Sequence, residues 1–382
     1  MSAPADVHLP PPAPGGVDLL IVAGEHSGDE QAARVVRDLR QRAPGLAIAA
    51  LGGPALASAG ARLLLDLTAS SVVGLVEVLK NYSFFRALLD ETLRWIAEHR
   101  PRAICLVDYP GFNLRLAAAL RARGLSIKGG GRIRTLFYIS PQIWAWKAGR
   151  RFAMARDLDA LAVLFPFEAA CYADTSLPVT FVGHPFGAPG YVSPVGHDPA
   201  GPVLLLPGSR RQAVARIFPA LLAGHRAWNE REAVVLYPGD DVRAVLRAAQ
   251  PPAGVRLERT GAGATVGASA VLTSSGTMSL HCALAGIPGA IVYRAHPVTY
   301  ALGRMLVKVP YLGIANLLLD QPIYPEYVQG AATPAALGAE LRACLHEPRR
   351  RDRTAEQAAK LRELLRVPAG GAAADWILGQ IT

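Results

Sequence analysis

Cysteine and charged residues are both scarce in this sequence of 382 residues. Its four cysteines stand far apart, with no Cys-x-x-Cys pair and no histidine at metal-ligand spacing, which argues against a disulfide scaffold or a zinc site. Such usage is typical of a reduced, cytosolic compartment. Charged residues make up 18% and apolar residues 51% of the chain, a balance that favours a globular protein over a disordered one.

Long apolar runs are lacking as well. The stretch around 63–67 is interrupted by Arg62 and Asp66 and stops well short of the roughly 18 residues of a spanning helix, so no segment is predicted to cross a bilayer. Residues 1–16 contain no Lys or Arg and include a proline-rich tract. They have neither the basic start nor the apolar middle of a secretory signal, and we expect a disordered tail.

Three catalytic motifs are also absent. The sequence contains no Walker G-x-x-x-x-G-K motif, no G-x-S-x-G elbow and no H-E-x-x-H helix. These motifs are required for P-loop phosphoryl transfer, esterase activity and metalloprotease activity, respectively, so the sequence does not support those activities. Positive charge is what the chain has in excess, with 40 Lys and Arg against 30 Asp and Glu, a net charge of +10. Such a surface attracts phosphates, nucleotides or acidic lipid headgroups, and charge alone leaves the choice among them open.

The order of apolar segments predicts an α/β fold. Short aliphatic runs alternate with amphipathic segments, the pattern of parallel α/β units, and the alternation restarts after a Pro- and Gly-rich stretch at 184–202. We therefore expect a domain over 17–183, a linker over 184–202, a second domain over 203–347 and a helical tail over 348–382. The predicted strands are 18–23, 47–51, 103–107, 134–139, 161–165, 203–206, 233–237, 270–273 and 290–293.

The loop after the first predicted strand is unusually polar. It reads GEHSGD, from Gly24 to Asp29, and because His26 stands where a dinucleotide fingerprint requires glycine, it is not a G-x-G-x-x-G loop. Ser27 or Asp29 would serve as the N-cap of the following helix. Glu25, Ser27 and Asp29 are together more polar than a cap requires, and substrates also bind at such loops, so both interpretations stay open.

A second polar loop follows the apolar strand at 103–107. It reads DYPGFN, in which Asn113 is placed to cap a helix that ends at Gly124. The strand delivers Asp108 to the carboxyl edge of the sheet, where a carboxylate within reach of a hydroxyl can act as a general base. An Asx turn is the structural alternative for Asp108, and the sequence does not decide between the two.

Two loops of the second domain have features of an anion-binding site. GSRR follows the strand at 203–206, and Arg210 offers a planar guanidinium that fits a pair of phosphate oxygens. SSGT opens a helix whose free N–H groups attract anions. A plain turn resembles either loop, but two of them in one domain favour phosphate binding. The predicted phosphate-binding residues are Arg210, Ser275, Gly276 and Thr277.

Taken together, the sequence resembles the lipid-A-disaccharide synthases, a family of inverting glycosyltransferases of the two-domain GT-B type. The resemblance extends from about Val17 along nearly the whole chain, in the words GEHSGD, SVVGLVEVLK, DYPGFN, YISPQIWAWK, LFPFE, FVGHP, LPGSR, SSGT, LVKVPYLGIANLLL and YPEYVQ. It implies two Rossmann-like, doubly wound domains facing a cleft. It also implies transfer of a diacylglucosamine from its UDP derivative to the 6-hydroxyl of a diacylglucosamine 1-phosphate, without a cofactor or a metal ion.

The resemblance assigns roles to individual residues. Asp108 would be the general base, Arg210 and Asn316 would serve donor binding or catalysis, and Glu326 and Gln329 would line the nucleotide side. The residues of the first two loops expected to contact substrate are Glu25, Ser27, Asp29 and Asn113.

The expected partners place the protein at a membrane surface. Both implied substrates are acylated and the acceptor carries a phosphate, so a basic protein could work as a cytoplasmic protein peripheral to the inner membrane. The candidate contact surface is an apolar strip over 72–93, for which a core-facing helix is the alternative. No nucleic acid partner is expected, and a homodimer stays open.

The chain departs from the family pattern at two positions. His281 stands where the family generally has Glu, at a place where related enzymes hold a ribose, and His cannot accept both ribose hydroxyls as a carboxylate does. Ala213 replaces a Glu that usually follows LPGSR. Two alternatives therefore remain: a GT-B transferase with a different nucleotide or acceptor, and a non-catalytic lipid- or nucleotide-binding homologue. Retention of Asp108, Arg210 and Asn316 argues against the second.

Overall fold

A computed structural model of the chain describes residues 7–70, 82–188, 191–228, 230–260, 265–297, 300–301, 303, 309–366 and 372–381. The chain divides into two compact units: unit 1 comprises Met1–Pro185 with Val367–Thr382, and unit 2 comprises Phe186–Arg366. Each unit is built on a parallel sheet with helices packed against it, so the predicted α/β class is confirmed.

Unit 1 contains a seven-stranded sheet of order β3-β2-β1-β4-β5-β6-β7. All neighbouring strands in it are parallel. Its strands are β1 Leu19–Ala23, β2 Ile48–Gly52, β3 Arg62–Asp66, β4 Ala103–Val107, β5 Arg134–Tyr138, β6 Ala160–Val163 and β7 Val179–Phe181. Its helices before the boundary are α1 His26–Arg42, α2 Pro54–Ser58, α3 Tyr82–His99, α4 Pro110–Ala122 and α5 Arg150–Asp157.

The central strands of unit 1 are apolar because both of their faces are covered. In β1, Leu19 and Ile21 belong to one buried cluster, whereas Leu20 and Val22 belong to the cluster on the other side. Side chains alternate between the faces of a strand, so an uninterrupted apolar run is what a doubly covered parallel strand requires. The same holds for β4, all five residues of which are buried.

Unit 2 contains a six-stranded parallel sheet of order β11-β10-β9-β13-β14-β15 and a two-stranded sheet of β8 and β12. Its strands are β8 Val195–His197, β9 Val203–Leu206, β10 Ala233–Tyr237, β11 Val255–Arg259, β12 Val266–Ala268, β13 Ala270–Thr273, β14 Gly289–Tyr293 and β15 Glu326–Val328. Its helices are α6 Arg211–Trp228, α7 Asp240–Ala248, α8 Thr277–Leu284, α9 Ile314–Leu319, α10 Pro334–His346 and α11 Pro348–Leu364.

Both ends of the chain differ from the tails that we expected. Leu9 is 2% exposed and donates its N–H to Glu91, while the carbonyl of Pro10 accepts from the Trp95 indole, so this part of 1–16 packs on α3. Residues 348–382 are helical but divided: α11 belongs to unit 2, and the last helix, α12 Ala373–Ile381, belongs to unit 1. The expected linker at 184–202 contains the boundary between units and also strand β8.

The apolar strip over 72–93 faces the core where it is described. Leu88 and Leu93 are buried in unit 1, and Phe84, Phe85 and Leu89 pack against the same cluster. Residues 71–81, with Leu75 and Leu79, lie outside the described residues. In the part of the chain that the structure describes, no helix combines the length and the apolar character needed to span a bilayer.

Candidate active site

In unit 1, two of the predicted loops meet at the point where the strand order reverses. The chain runs from β1 outward to β2 and β3 on one side, then returns to add β4 on the other side of β1. The GEHSGD loop follows β1, and Asp108 follows β4. Ligands of open parallel sheets bind outside the carboxyl ends of the strands at such a switch point.

Asp108 lies in a tight and mostly buried turn. Asp108 and Tyr109 both have left-handed backbone conformations, with φ of 46° and 49°. Burial and, secondly, the negative charge of Glu25 raise the pKa of Asp108 to about 6, against a hydrogen bond from the Tyr109 backbone that lowers it. A carboxyl group with a pKa near the working pH is suited to accept a proton from a hydroxyl.

Gly24 and Tyr109 join the two loops, a contact that the sequence analysis missed. A Cβ on Gly24 would lie 2.2 Å from Cδ1 of Tyr109, so only glycine leaves room for this ring. Burial, with Glu25 again second, raises the pKa of Tyr109 above its usual value. The shared influence of Glu25 on Asp108 and Tyr109 shows that the loops after β1 and β4 form one electrostatic environment.

Asn113 ties the two strand ends together and does not cap a helix. Helix α4 begins at Pro110 with Tyr109 as its N-cap, so the expectation of a cap at Asn113 is wrong. The fully buried Asn113 amide donates from Nδ2 to the carbonyls of Val22, Val107 and Asp108, the last at 2.8 Å. It therefore fixes the backbone from which the Asp108 side chain projects.

Asp29 is used entirely by the fold of unit 1. Its carboxylate, 2% exposed, accepts from the backbone N–H groups of Gly53, Ala55 and Leu56 at 2.8–3.2 Å, which anchors the start of α2. Neither Ser27 nor Asp29 caps α1, because the N-cap is Glu25 and it makes no side-chain capping bond. The expected caps are thus wrong, and of the three polar side chains only Glu25 and Ser27 are exposed to a ligand.

Unit 2 repeats this arrangement at its own switch point. The chain passes from β9 to β10 and β11 on one side, and β13 then pairs with β9 on the other side. The GSRR loop follows β9, and SSGT follows β13. Gly208 has a φ of +109°, and its α-carbon faces Ser274, so that a Cβ there would lie 3.1 Å from the Ser274 hydroxyl.

Arg210 and the start of α8 offer unused hydrogen-bond donors. Arg210 is exposed, and the described residues give it no ion pair. Gly276, the N-cap of α8, and Thr277 are also exposed, and no side chain caps this helix. The free N–H groups and the positive end of α8 therefore remain available to an anion.

Ser275, Asn316 and Glu326 belong to a single hydrogen-bond network. Ser275 donates to the carbonyl of Leu312, and Glu326 accepts from the N–H groups of Leu312 and Gly313. The buried Asn316 donates to Glu326 and to the Tyr324 carbonyl and accepts two further backbone N–H groups. These hydrogen bonds hold the 312–313 loop against the start of α8. Every hydrogen-bonding group of the Asn316 side chain is used within the network, so none is available to a ligand.

Gln329 has a comparable structural role. Its side-chain amide pairs with both backbone groups of Ala295, accepting at 2.8 Å and donating at 3.0 Å. This contact holds the segment that follows β14. The sequence analysis expected Glu326 and Gln329 to line the nucleotide. In the structure, the polar atoms of both side chains form hydrogen bonds that hold the loops around the site.

His281 is packed within unit 2. It is 6% exposed, its ring stacks on Phe186 with centroids 3.9 Å apart, and the Tyr191 hydroxyl lies 3.0 Å from Nδ1. It lies on α8 one turn after Thr277, on the same side of the helix. The position at which the sequence analysis expected a Glu thus carries a buried aromatic stack.

Glu168 is a further buried carboxyl that the sequence analysis did not single out. It is 3% exposed and accepts from the N–H groups of Leu164 and Phe165 after β6 in unit 1. Burial raises its pKa to about 7. Its bond to the Phe165 N–H is the Glu half of a capping box, but Phe165 has no side-chain oxygen to complete the box, so the sequence carried no capping signature for this role.

The two Rossmann-like units, each built on a parallel sheet with polar loops at its switch point, define a protein of the GT-B fold. A solved structure of the glycosyltransferase of kitacinnamycin covers 97% of this chain and 100% of its own, with a TM-score of 0.62 at 17% identity, a likeness that establishes the fold.

The particular family follows from the sequence comparisons. The family model described as lipid-A-disaccharide synthetase matches residues 19–373. The lipid-A-disaccharide synthase of Geobacter metallireducens is 34% identical over 370 residues, 91% of this chain and 92% of that protein. The one from Anaeromyxobacter dehalogenans is 38% identical over 362 residues, with the same shares covered. The chain belongs to the lipid-A-disaccharide synthase family and is a hexosyltransferase of lipid A biosynthesis, as its sequence words predicted.

Proposed function

We propose that the protein condenses UDP-2,3-diacylglucosamine with 2,3-diacylglucosamine 1-phosphate, forming the β-1,6-linked lipid A disaccharide 1-phosphate and UDP. One observation carries the assignment within the family. The carboxylate with a raised pKa and an arginine that forms no ion pair with any described residue each lie at the switch point of a separate parallel sheet. A general base and an anion site on different units are what a transfer between two bound sugars needs.

Asp108 acts as the base in this proposal. The acceptor 6-hydroxyl gives its proton to the Asp108 carboxylate while its oxygen attacks C1 of the donor sugar. The bond from C1 to the UDP oxygen breaks, and its electron pair leaves with the diphosphate. Attack from the side opposite the leaving group inverts the configuration at C1, so a single carboxylate suffices and no covalent intermediate forms.

Arg210 and the start of α8 stabilise the departing diphosphate. Its negative charge develops during the reaction, and donors that are already oriented lower the barrier without having to reorganise. Ser275, Glu326 and Asn316 contribute indirectly, because their network fixes the loop against α8. Of the residues predicted to bind substrate, these three keep positioning roles in the proposal, and so do Asp29, Asn113 and Gln329.

The partners and location follow from the substrates. Two acylated substrates favour work at the cytoplasmic face of the inner membrane as a peripheral protein, with no nucleic acid partner. The proposal does not fix the oligomeric state, and both a monomer and a homodimer are compatible with it. Sedimentation velocity separates the two by mass, since the monomer has a mass of 40.4 kDa and a dimer has twice that mass.

A second candidate is a transferase of the same fold with another nucleotide or acceptor. The observation that favours it is His281, whose ring is stacked within unit 2 where the family generally has a carboxylate. Titration calorimetry with UDP, GDP and ADP tests the nucleotide, and binding of another nucleotide in place of UDP supports the second candidate. If UDP binds, product formation from the diacyl monosaccharide phosphate tests the acceptor.

The decisive experiment uses the two purified lipids in detergent micelles. The purified protein is incubated with UDP-diacylglucosamine and the diacyl monosaccharide phosphate, and the product is weighed by mass spectrometry. We expect the mass of the disaccharide monophosphate from the wild type and almost none from Asp108→Asn. A wild type that binds UDP but forms no disaccharide contradicts the proposed reaction, and an equally active Asp108→Asn variant contradicts the base assignment.

A further inference from the structure

Two aromatic side chains lie exposed next to cations on one surface of unit 1. Trp146 is 43% exposed and Phe152 is 53% exposed. The ammonium of Lys147 lies 4.6 Å from the centroid of the Trp146 ring, and the guanidinium of Arg150 lies 5.2 Å from it. Trp146, Lys147, Arg150 and Phe152 are called the aromatic–basic patch below.

The backbone presents this patch in a fixed conformation. Consecutive turn hydrogen bonds link Lys147 to Arg150 and Gly149 to Phe152. Arg151 forms hydrogen bonds from two nitrogens to Asp174 and from a third to the Ala148 carbonyl, and its guanidinium lies 4.3 Å from the centroid of the Phe152 ring. The rings therefore face solvent from a hydrogen-bonded turn and the first turn of α5.

Positive charge in the patch is not compensated. The segment 139–156 contains four Lys and Arg residues and no Asp or Glu. Two of these cations are paired, Arg151 with Asp174 and Arg156 with Asp157. Lys147 and Arg150 have no ion pair among the described residues. Two unpaired cations beside two exposed rings are complementary to a surface that is both anionic and apolar.

Such a combination fits the headgroup region of an anionic bilayer. Tryptophan and phenylalanine enter that layer with the apolar part of the ring, and nearby Lys and Arg gain from the phosphates. The earlier candidate, the strip over 72–93, packs into the core over its described part, 82–93, so that part does not offer an exposed apolar surface for membrane contact. The patch supplies one.

We propose that the aromatic–basic patch docks unit 1 on an anionic phospholipid surface. Trp146 and Phe152 enter the interface, and Lys147 and Arg150 pair with headgroup phosphates. The inference rests on the proposed function only to explain why the protein binds a membrane, since the proposed substrates are lipids. The patch follows β5, which neighbours β4, so it lies at the same edge of the sheet as Asp108. Docking there holds the base next to the layer that contains the acceptor.

Binding of the full chain to vesicles tests the proposal without any catalysis. Flotation is measured with phosphatidylcholine vesicles that contain or lack phosphatidylglycerol. At about 1 kcal/mol per cation near the surface, Lys147→Gln/Arg150→Gln should bind the anionic vesicles about 30-fold more weakly. The double variant Trp146→Ala/Phe152→Ala loses the burial of two rings in the interface, so it should bind the anionic vesicles at least about tenfold more weakly than the wild type.

Matched controls come from the opposite edge of the same sheet. Arg132 is an exposed cation and Ile127 a 42% exposed apolar side chain, and both precede β5 whereas the patch follows it. Arg132→Gln and Ile127→Ala should bind vesicles as the wild type does. Because Trp146 is the most exposed tryptophan described, the fluorescence shift on adding anionic vesicles should disappear in Trp146→Phe while flotation persists.

The outcomes separate the two proposals. Docking is refuted if the patch variants float like the wild type, if Arg132→Gln weakens flotation as much as the patch substitutions do, or if neutral vesicles bind equally well. Activity on micellar substrates should be retained by the patch variants, because micelles do not require docking to a bilayer. A wild type that floats but forms no disaccharide in micelles contradicts the proposed function and leaves the docking surface standing.

Discussion

Replacing Asp108 by Asn should stabilise the protein while abolishing its activity. The pKa of Asp108 is raised from 3.8 to about 6, mainly by burial. At about 1.4 kcal/mol per pKa unit, the ionised carboxylate destabilises folded unit 1 by up to about 3 kcal/mol. Asparagine has nearly the same shape, carries no charge and tolerates the left-handed backbone at this position, so it removes the penalty without adding strain.

The pH dependence identifies the cause. Because the folded pKa lies above the unfolded one, the penalty is absent below the unfolded pKa of 3.8, grows as the pH rises and is complete above about 6. The difference between Asp108→Asn and the wild type should therefore be greatest at pH 8 and about half as great at pH 5. For a unit of this size, about 3 kcal/mol raises the midpoint of thermal unfolding by roughly 6–12 °C.

Thermal unfolding followed by circular dichroism at pH 5 and pH 8 measures this, together with the rate of disaccharide formation. The rate should fall by roughly 100- to 10,000-fold, and the wild-type kcat/KM should decline as the pH drops through about 6. Asp38→Asn, an exposed carboxylate on α1, is the control and should leave both quantities unchanged. A less stable Asp108→Asn variant at pH 8 would refute the reasoning.

Three further substitutions test other parts of the site. Gly24→Ala places a Cβ 2.2 Å from the Tyr109 ring, so we expect kcat to fall by at least about tenfold through displacement next to the base, measured in the micellar assay. Asn113→Ala leaves backbone carbonyls at the ends of β1 and β4 without their donor, and urea denaturation should show a loss of about 1–3 kcal/mol. Arg210→Gln should weaken UDP binding by roughly 10- to 100-fold in calorimetry and leave the unfolding midpoint unchanged, because the side chain is exposed.

Two neighbouring positions provide controls for these substitutions. A Cβ on Gly111 meets no atom within 4 Å, so Gly111→Ala should keep full activity and show that adding a methyl group near the base is harmless in itself. Arg216 is another exposed arginine on α6, and Arg216→Gln should bind UDP as the wild type does. Equal losses at Arg216 and Arg210 would mean that overall charge, and not the loop after β9, attracts the nucleotide.

The sequence predicted the central strands of both sheets and missed the outer ones. Strands β3 and β7 form the edges of one sheet, and β11 and β15 form the edges of the other. An edge strand is covered less completely and tolerates charge, as Arg256 and Glu258 in β11 show, so it lacks the continuous apolar run that marks β4. The pattern that reveals a buried strand therefore disappears where burial is partial.

For the polar residues of the predicted site, the sequence could not separate structural roles from binding roles. Asp29, Asn316 and Gln329 were expected to contact substrate, but the hydrogen bonds that the structure gives them go to backbone groups of the fold and, for Asn316, also to the Glu326 side chain. Asp29 binds residues 24–27 positions away, and Gln329 binds Ala295, 34 positions away. Such partners depend on how the chain folds back, so composition and spacing alone cannot separate a residue that shapes a loop from one that binds a ligand.

The helix α12 has a consequence for how the chain is made. Ala374, Trp376 and Ile377 are buried in the same cluster as β1 and α1, although all of unit 2 lies between them in the sequence. During translation, the first half of the chain must therefore wait, with this apolar face uncovered, until the second half has left the ribosome. A nascent chain that stalls before α12 has been made would present that apolar face to chaperones and proteases.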